Sequence, residues 1–137
     1  MTPSAHQKTF ARVLKIISKY LLCVFFVLAG IYHFINPAFY LRIMPDYLPW
    51  HLFLVYLSGL FEMVLGVLLV VPALTRVAAW GLIALLIAVF PANIHMALNP
   101  SLYPEISGKA LWLRLPLQGV LVAWAYWYTR PDMLRES

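Results

Sequence analysis

A long apolar run with one acid in its middle limits the folds that this chain can adopt. The run extends from Leu52 to Val71, and Glu62 is its only charged side chain. An α-helix of about 20 apolar residues spans the ~30 Å hydrocarbon core of a bilayer, and this run has that length. A carboxylate at that depth costs roughly 2.5 kcal/mol or more, so Glu62 should face the protein interior, paired or protonated.

The composition agrees with a membrane protein. The chain has 137 residues, of which 64% are hydrophobic and 11% are charged, whereas soluble domains have about 25% charged residues. No polar stretch is long enough to fold separately, so we predict a single membrane domain over residues 1–137. The net charge of +5 does not indicate nucleic-acid binding, because most basic residues lie just beyond the ends of apolar runs.

Four apolar segments predict four transmembrane helices, at about residues 20–35, 52–71, 75–98 and 111–128. The tight connection after Pro72 requires the third helix to return antiparallel beside the second. Asn36-Pro37 suits a helix start, since Asn is a good N-cap and Pro is favoured at the first helical position. The predicted fold class is therefore an all-α, integral membrane four-helix antiparallel bundle, with a short interfacial helix between helices 1 and 2.

Two polar connections are expected at the outer membrane surface. The segment after Asn36 is rich in proline and aromatic residues, which predicts an interfacial belt formed by Phe39, Tyr40, Tyr47 and Trp50. The loop over residues 101–110, with Glu105 and Lys109, is expected to be exposed.

Basic residues predict the orientation. We expect residues 1–19 to form a basic helical arm on or entering the membrane surface, and residues 129–137 to form a cytoplasmic tail. The side with both termini carries Lys8, Arg12, Lys15, Lys19, Arg76, Arg130 and Arg135, and the other side carries Arg42, Lys109 and Arg114. This asymmetry predicts a protein of the bacterial cytoplasmic membrane with both termini in the cytoplasm. No small-residue cleavage site follows the first apolar run, so we interpret that run as a helix rather than a signal peptide.

Polar residues on the predicted helices converge at one depth. Counting ~1.5 Å per residue from the cytoplasmic ends brings Glu62 level with Gln118, with His33 and Arg114 one turn nearer the outside. We expect these four side chains to line one site and Glu62 to pair with Arg114. Asn93 or His95 would be a fifth member, although two residues so close in sequence point in different directions on a helix.

Two other interpretations of these residues stay open. The polar groups could form a network that only holds the helices together, or His33, His95 and Arg114 could extend outward to the lipid head groups. No close ligand spacing such as HxxxH predicts a metal site. The single cysteine, Cys23, permits neither an intrachain disulfide nor a CxxC pair and reads as a small buried hydrophobe. Catalytic residues cannot be assigned.

Several motifs carry a family resemblance. They are Gly30-x-x-His33-Phe34-x-x-Pro37, Pro45-x-x-Leu48-Pro49, Ser58-Gly59-x-x-Glu62, Phe90-Pro91-Ala92-Asn93-Ile94-His95-Met96 and Arg114-Leu115-Pro116-Leu117-Gln118. Over roughly residues 21–128 the chain resembles the DoxX-like membrane proteins. The resemblance implies a four-helix integral membrane protein associated with redox chemistry. Some relatives in that family are subunits of thiosulfate:quinone oxidoreductases, or work beside thiol-redox and methylamine-dehydrogenase maturation systems.

The leading functional hypothesis is an accessory membrane protein that binds a lipophilic molecule of quinone or isoprenoid type near the outer leaflet. Glu62 and His33 would hold or relay a proton, and Arg114 and Gln118 would orient a carbonyl or hydroxyl group. No haem, flavin or iron–sulfur signature is visible, so no cofactor is expected other than a quinone supplied by the membrane, and electrons would come from a redox partner protein. The alternatives are a structural or assembly subunit of a membrane complex and a stand-alone enzyme acting on a lipid, and homo-oligomer formation is left open.

Overall fold

The computed structural model describes residues 2–131, and within that range the chain is all-helical with no β-strand. The α-helices are α1 (Ala5–Ile35), α2 (Pro37–Ile43), α3 (His51–Leu68), α4 (Thr75–Leu98) and α5 (Gly108–Trp127), with a short 3-10 turn at Pro100–Leu102. Among the described residues, α1, α3 and α4 are long and apolar enough to cross a membrane. The prediction of an all-α chain with membrane-type helices is confirmed to that extent. Most of the predicted cytoplasmic tail, including Arg135, lies outside the described residues.

The basic arm and the first apolar run form one helix. Ser4 caps α1 in a capping box, because its Oγ accepts from the Gln7 backbone N–H at 3.3 Å and the Gln7 side chain accepts from the Ser4 N–H at 2.9 Å. A helix of 31 residues is about 46 Å long, which exceeds the ~30 Å hydrocarbon core. The helix therefore runs without a break through residue 20, where the transmembrane segment is predicted to begin, and the basic turns continue it beyond its apolar part.

Local capping chemistry sets the other helix ends. The predicted cap at Asn36 is confirmed, since its side chain accepts from the Phe39 N–H at 3.4 Å and Pro37 opens α2. The helix α3 ends at Leu68, before the expected Val71, and i→i−3 bonds tighten the chain ahead of Pro72. The helix α5 begins at Gly108, before the expected Leu111, because Ser107 caps it through the Ala110 N–H.

Glycines bring α1 and α3 into backbone contact. A Cβ atom on Gly30 would lie 2.5 Å from the Gly59 carbonyl oxygen, and one on Gly59 would lie 2.6 Å from the His33 Cβ. Farther along, Gly66 lies against Phe26. Residue numbers rise along one helix as they fall along the other, so α1 and α3 are antiparallel. Small residues at such crossings permit the close van der Waals packing that holds helices together in a membrane.

Two apolar clusters close the two ends of the helical assembly. One joins α1, α4 and α5 near the Pro72 turn, and its fully buried members are Leu22, Phe26, Leu69, Ala78, Ala79, Leu82 and Ala125. The other lies at the opposite end, around Ile43, Met96, Tyr103 and Leu111. Between these clusters, side chains fill the space enclosed by the helices less completely, and the candidate site lies there.

The loop between α4 and α5 is not wholly exposed, contrary to expectation. Tyr103 is 0% exposed, and its hydroxyl donates to the Arg42 carbonyl oxygen at 3.0 Å. Glu105 pairs with the Arg42 side chain at 2.5 Å, and hydrogen bonding to its own backbone and to Arg42 lowers the pKa of the Glu105 carboxyl. The loop thus anchors α2 over the end of the assembly opposite the Pro72 turn. Of the four residues of the predicted belt, Tyr47 and Trp50 are exposed, whereas Phe39 and Tyr40 are part-buried.

We predict that Gly30→Ala and Gly59→Ala each lower the free energy of unfolding by about 1–3 kcal/mol, because the added methyl group meets rigid backbone or a β-carbon. Unfolding of detergent-solubilised protein would measure this. The matched control is Gly119→Ala on α5, where a Cβ meets nothing within 4 Å and helix propensity should add up to about 1 kcal/mol. Equal effects at the three positions would show that the α1–α3 contact is not tight.

Candidate functional site

A cavity of about 390 Å³ lies between the two apolar clusters. It is lined by α1, α2, α3, α4 and α5 together, and most of its walls are apolar side chains such as Phe26, Leu86 and Leu117. Its polar lining consists of Glu62, His33, Ser58, Tyr40, Asn93, Arg114 and Gln118. An apolar pocket with a few convergent polar groups, within the usual range of roughly 300–1,000 Å³, is typical of small-molecule sites.

His33 and Glu62 form the polar part of the α1–α3 wall. The His33 Nε2 atom lies 3.2 Å from the Glu62 Oε2 atom, and the two side chains are 8% and 13% exposed. Side chains lean toward the N-terminus of their own helix, so on these antiparallel helices they lean toward each other. The backbone contact at Gly30 and Gly59, three residues from His33 and Glu62 respectively, brings the two helices close enough for the contact.

The neighbours of His33 determine how many protons the pair holds. His33 Nδ1 lies 3.0 Å from the Val55 carbonyl oxygen, which can only accept, so Nδ1 carries a hydrogen and donates it. Glu62 Oε2 is enclosed by protein and has no well-aligned hydrogen bond, which leaves His33 Nε2 as its polar neighbour. A nitrogen lone pair facing a carboxylate oxygen is repulsive, so a 3.2 Å contact is favourable only when the pair holds a second proton, on either Nε2 or Oε2.

This arrangement makes the pair electrically neutral. Imidazolium with carboxylate and imidazole with carboxylic acid contain the same number of protons, and each combination has a net charge of zero. A neutral pair avoids the large cost of an uncompensated charge in an apolar interior. It can also hold one exchangeable proton at the cavity wall.

Gln118 and Asn93 join α5 to α4 on the opposite wall. The Asn93 amide donates to the Gln118 Oε1 atom at 2.7 Å, and the Gln118 amide donates to the Leu86 carbonyl oxygen. Gln118 is buried, so satisfying its polar atoms matters for stability. Because the two amides already bond to each other and to Leu86, their arrangement favours helix packing over ligand contact.

Arg114 lies one turn from Gln118 and does not pair with Glu62. Its guanidinium group lies 5.8 Å from the centre of the Phe39 ring, and among residues 2–131 no ion pair includes Arg114. The expected Glu62–Arg114 pair is therefore wrong. The reason is that α1 contacts α3 directly, so His33 reaches Glu62, whereas Arg114 comes from α5 across the cavity.

Tyr40, on α2, packs against the His33–Glu62 pair. Its ring stacks on the His33 imidazole with the ring centres 3.7 Å apart. Burial, with a smaller contribution from Glu62, raises the pKa of Tyr40 to about 12, so the phenol keeps its hydrogen at neutral pH. Within the described part of the chain its hydroxyl has no hydrogen-bond partner. The aromatic, proline-rich segment predicts a head-group position for Tyr40 and does not indicate which of its rings faces inward.

Five of the six predicted site residues line this cavity: Glu62, His33, Arg114, Gln118 and Asn93. The sixth, His95, is exposed on α4 and contacts Asn99 at 3.4 Å. Of Asn93 and His95, the two alternatives for the fifth member of the site, it is therefore Asn93 that faces the cavity. The outward extension of His33 to the head groups is wrong, because that side chain is buried. Among the described residues no cluster of His, Cys, Asp and Glu has the geometry to hold a metal ion.

Comparison with known proteins identifies one family. A family model described as a domain of unknown function (DUF8561) matches residues 22–129, which includes the whole cavity lining. No curated protein and no solved structure matches the chain.

We expect His33→Ala to lower the free energy of unfolding by about 3 kcal/mol or more, because it leaves Glu62 buried without its partner. The double variant with Glu62→Ala should cost less than the sum of the two single changes, and this coupling is measured by a double-mutant cycle in detergent. The matched control His95→Ala should change stability by less than about 0.5 kcal/mol. Strict additivity would mean that His33 and Glu62 do not interact.

Proposed function

We propose the following function for this chain, which belongs to the DUF8561 family: it is an integral membrane protein that binds a lipophilic small molecule of quinone or isoprenoid type. The ligand would occupy the cavity around Glu62, near the outer leaflet. The observation that carries the proposal is this apolar cavity of about 390 Å³, with a neutral proton-holding pair and an unpaired guanidinium group in its lining.

The distribution of apolar side chains supports membrane insertion. The long helices expose large hydrophobic residues, among them Leu28 on α1, Phe53 on α3 and Ile87 on α4, while the polar groups face the cavity. Exposed apolar surface of this extent is unfavourable in water and favourable in lipid. We propose that α5 completes an antiparallel four-helix bundle, because its outer face is apolar at Leu113 and Val120.

The polar lining suits a head group that contains oxygen. Arg114 and Tyr40 keep donors that no described residue uses, and a carbonyl or hydroxyl oxygen would accept from them. The His33–Glu62 pair can give or take a proton at the same wall, which suits a ligand of quinone type whose chemistry includes protons. The sequence resemblance to DoxX-like membrane proteins supports an accessory, redox-associated role in which a partner protein supplies the electrons.

A structural or assembly subunit is the second candidate function. The bonds from Asn93 through Gln118 to Leu86, and from His33 to Val55, join helices whether or not anything is bound. Under this alternative the cavity would be a packing defect and no ligand would copurify. A stand-alone enzyme acting on a lipid would instead form product without a partner and would lose turnover in Glu62→Gln.

We predict that native mass spectrometry of protein purified in a maltoside detergent detects a bound lipophile. Ala92→Phe should remove this species, because the larger side chain fills the cavity that Ala92 lines, and thermal stability should be retained. The matched control is Ala73→Phe in the exposed turn between α3 and α4, which should retain the bound species. A ligand-free wild-type protein, or equal occupancy in both variants, would favour the structural alternative.

A second prediction concerns topology, with both termini in the cytoplasm. In a Cys23→Ala background, Ser101→Cys should react with a membrane-impermeant thiol reagent added to intact bacterial cells, and Ala73→Cys should react only after lysis. The two positions flank α4 at opposite ends and both are exposed. The reverse labelling pattern would overturn the proposed orientation.

A further inference from the structure

The charges that line the cavity do not cancel. The ionisable side chains in its lining are His33, Glu62, Arg114 and Tyr40. The His33–Glu62 pair is neutral for the geometric reasons given above, and the Tyr40 phenol is uncharged. Arginine stays protonated under all ordinary conditions, and among the described residues no carboxylate lies within ion-pair distance of Arg114. The cavity therefore carries one uncompensated positive charge.

An unpaired guanidinium in a largely apolar cavity is unfavourable by itself. The cation–π contact with the Phe39 ring, 5.8 Å from the guanidinium to the ring centre, gives only partial compensation, because an aromatic ring carries no net negative charge. Ionised side chains inside membrane proteins normally pair with an opposite charge or mark a ligand path. The planar, forked guanidinium suits carboxylate or phosphate groups, which it binds with two parallel hydrogen bonds.

We infer that the cavity selects lipophiles with an anionic head group, a carboxylate or a phosphate, and that Arg114 and Tyr40 bind that group. This inference rests on the proposed function and narrows its ligand class. An isoprenoid phosphate, for example, has both the lipophilic chain and the anionic head group. Tyr40 contributes a free phenol hydrogen at the same end of the cavity, where its ring already lies against His33. The apolar remainder of the lining would hold the hydrocarbon part of the ligand.

The test compares matched amphiphiles in the full-length protein in a maltoside detergent at pH 8, by titration calorimetry. The probes are dodecanoate, dodecyl phosphate, methyl dodecanoate and dodecylamine. We expect the two anions to bind at least about tenfold more tightly than the neutral ester, because a charge-assisted hydrogen bond is lost with the charge. The amine should bind most weakly. Inorganic phosphate at the same concentration should not displace dodecyl phosphate, because it lacks the apolar chain.

Variants assign the preference to named residues. Arg114→Gln should weaken binding of the two anions far more than binding of the ester and so remove the preference for anions, whereas Arg114→Lys should keep most of that preference. Since Arg114 has no ion-pair partner among the described residues, its replacement strands no buried carboxylate, and the variant should fold. Tyr40→Phe should lower the affinity for the two anions by a few-fold. The exposed control Arg76→Gln should bind all four amphiphiles with wild-type affinity.

The outcomes separate this inference from the function on which it rests. Equal affinity for dodecanoate and its methyl ester would overturn the inferred preference for anions, while the proposal that the cavity binds a lipophile would stand. Tighter binding of the amine would overturn the neutrality of the His33–Glu62 pair and the inference with it. Displacement by inorganic phosphate alone would overturn the requirement for a lipophile. If none of the four amphiphiles binds, the inference and the proposed function both fail.

Discussion

The structure depends on the backbone contact between α1 and α3 at Gly30 and Gly59. Only glycine permits this approach, because a Cβ atom on Gly30 would lie 2.5 Å from the Gly59 carbonyl oxygen. The same contact decides which residue neutralises Glu62. His33 reaches it from a helix in direct contact, whereas Arg114 would have to reach across the cavity. Helix packing and site electrostatics are therefore consequences of the same small residues.

The remaining packing surrounds the site without filling it. Large apolar side chains close the end near the Pro72 turn, and a second cluster, built around the buried Tyr103, closes the other end. Between them, two polar contacts join the helices: His33 with Glu62 on one wall, and Asn93 with Gln118 on the other. Polar contacts of this kind hold membrane helices at defined positions with less apolar packing, so a cavity can persist between the walls.

Much of this could be predicted from the sequence because periodicity and depth are local properties. The acid at mid-run required an inward-facing Glu62, and counting depth along the helices placed His33 within one turn of it. The partner of Glu62 could not be predicted, because depth counting orders residues along a helix but not around it. Which of Asn93 and His95 faces the site could not be predicted for the same reason. The contact of Tyr40 with His33 could not be predicted, because a preference of aromatic residues for the membrane interface does not indicate which ring a short helix turns inward.

The neutrality of the His33–Glu62 pair determines whether the positive charge of Arg114 is compensated within the cavity. Had Glu62 paired with Arg114, as the sequence suggested, the two charges would have compensated each other and His33 would have been the free group. The cavity would then favour a neutral ligand. Because His33 takes that position through its bond to Val55, the guanidinium is left with an aromatic ring as its neighbour. One side-chain pairing, set by the closeness of two helices, thus decides whether the cavity lining carries a net charge.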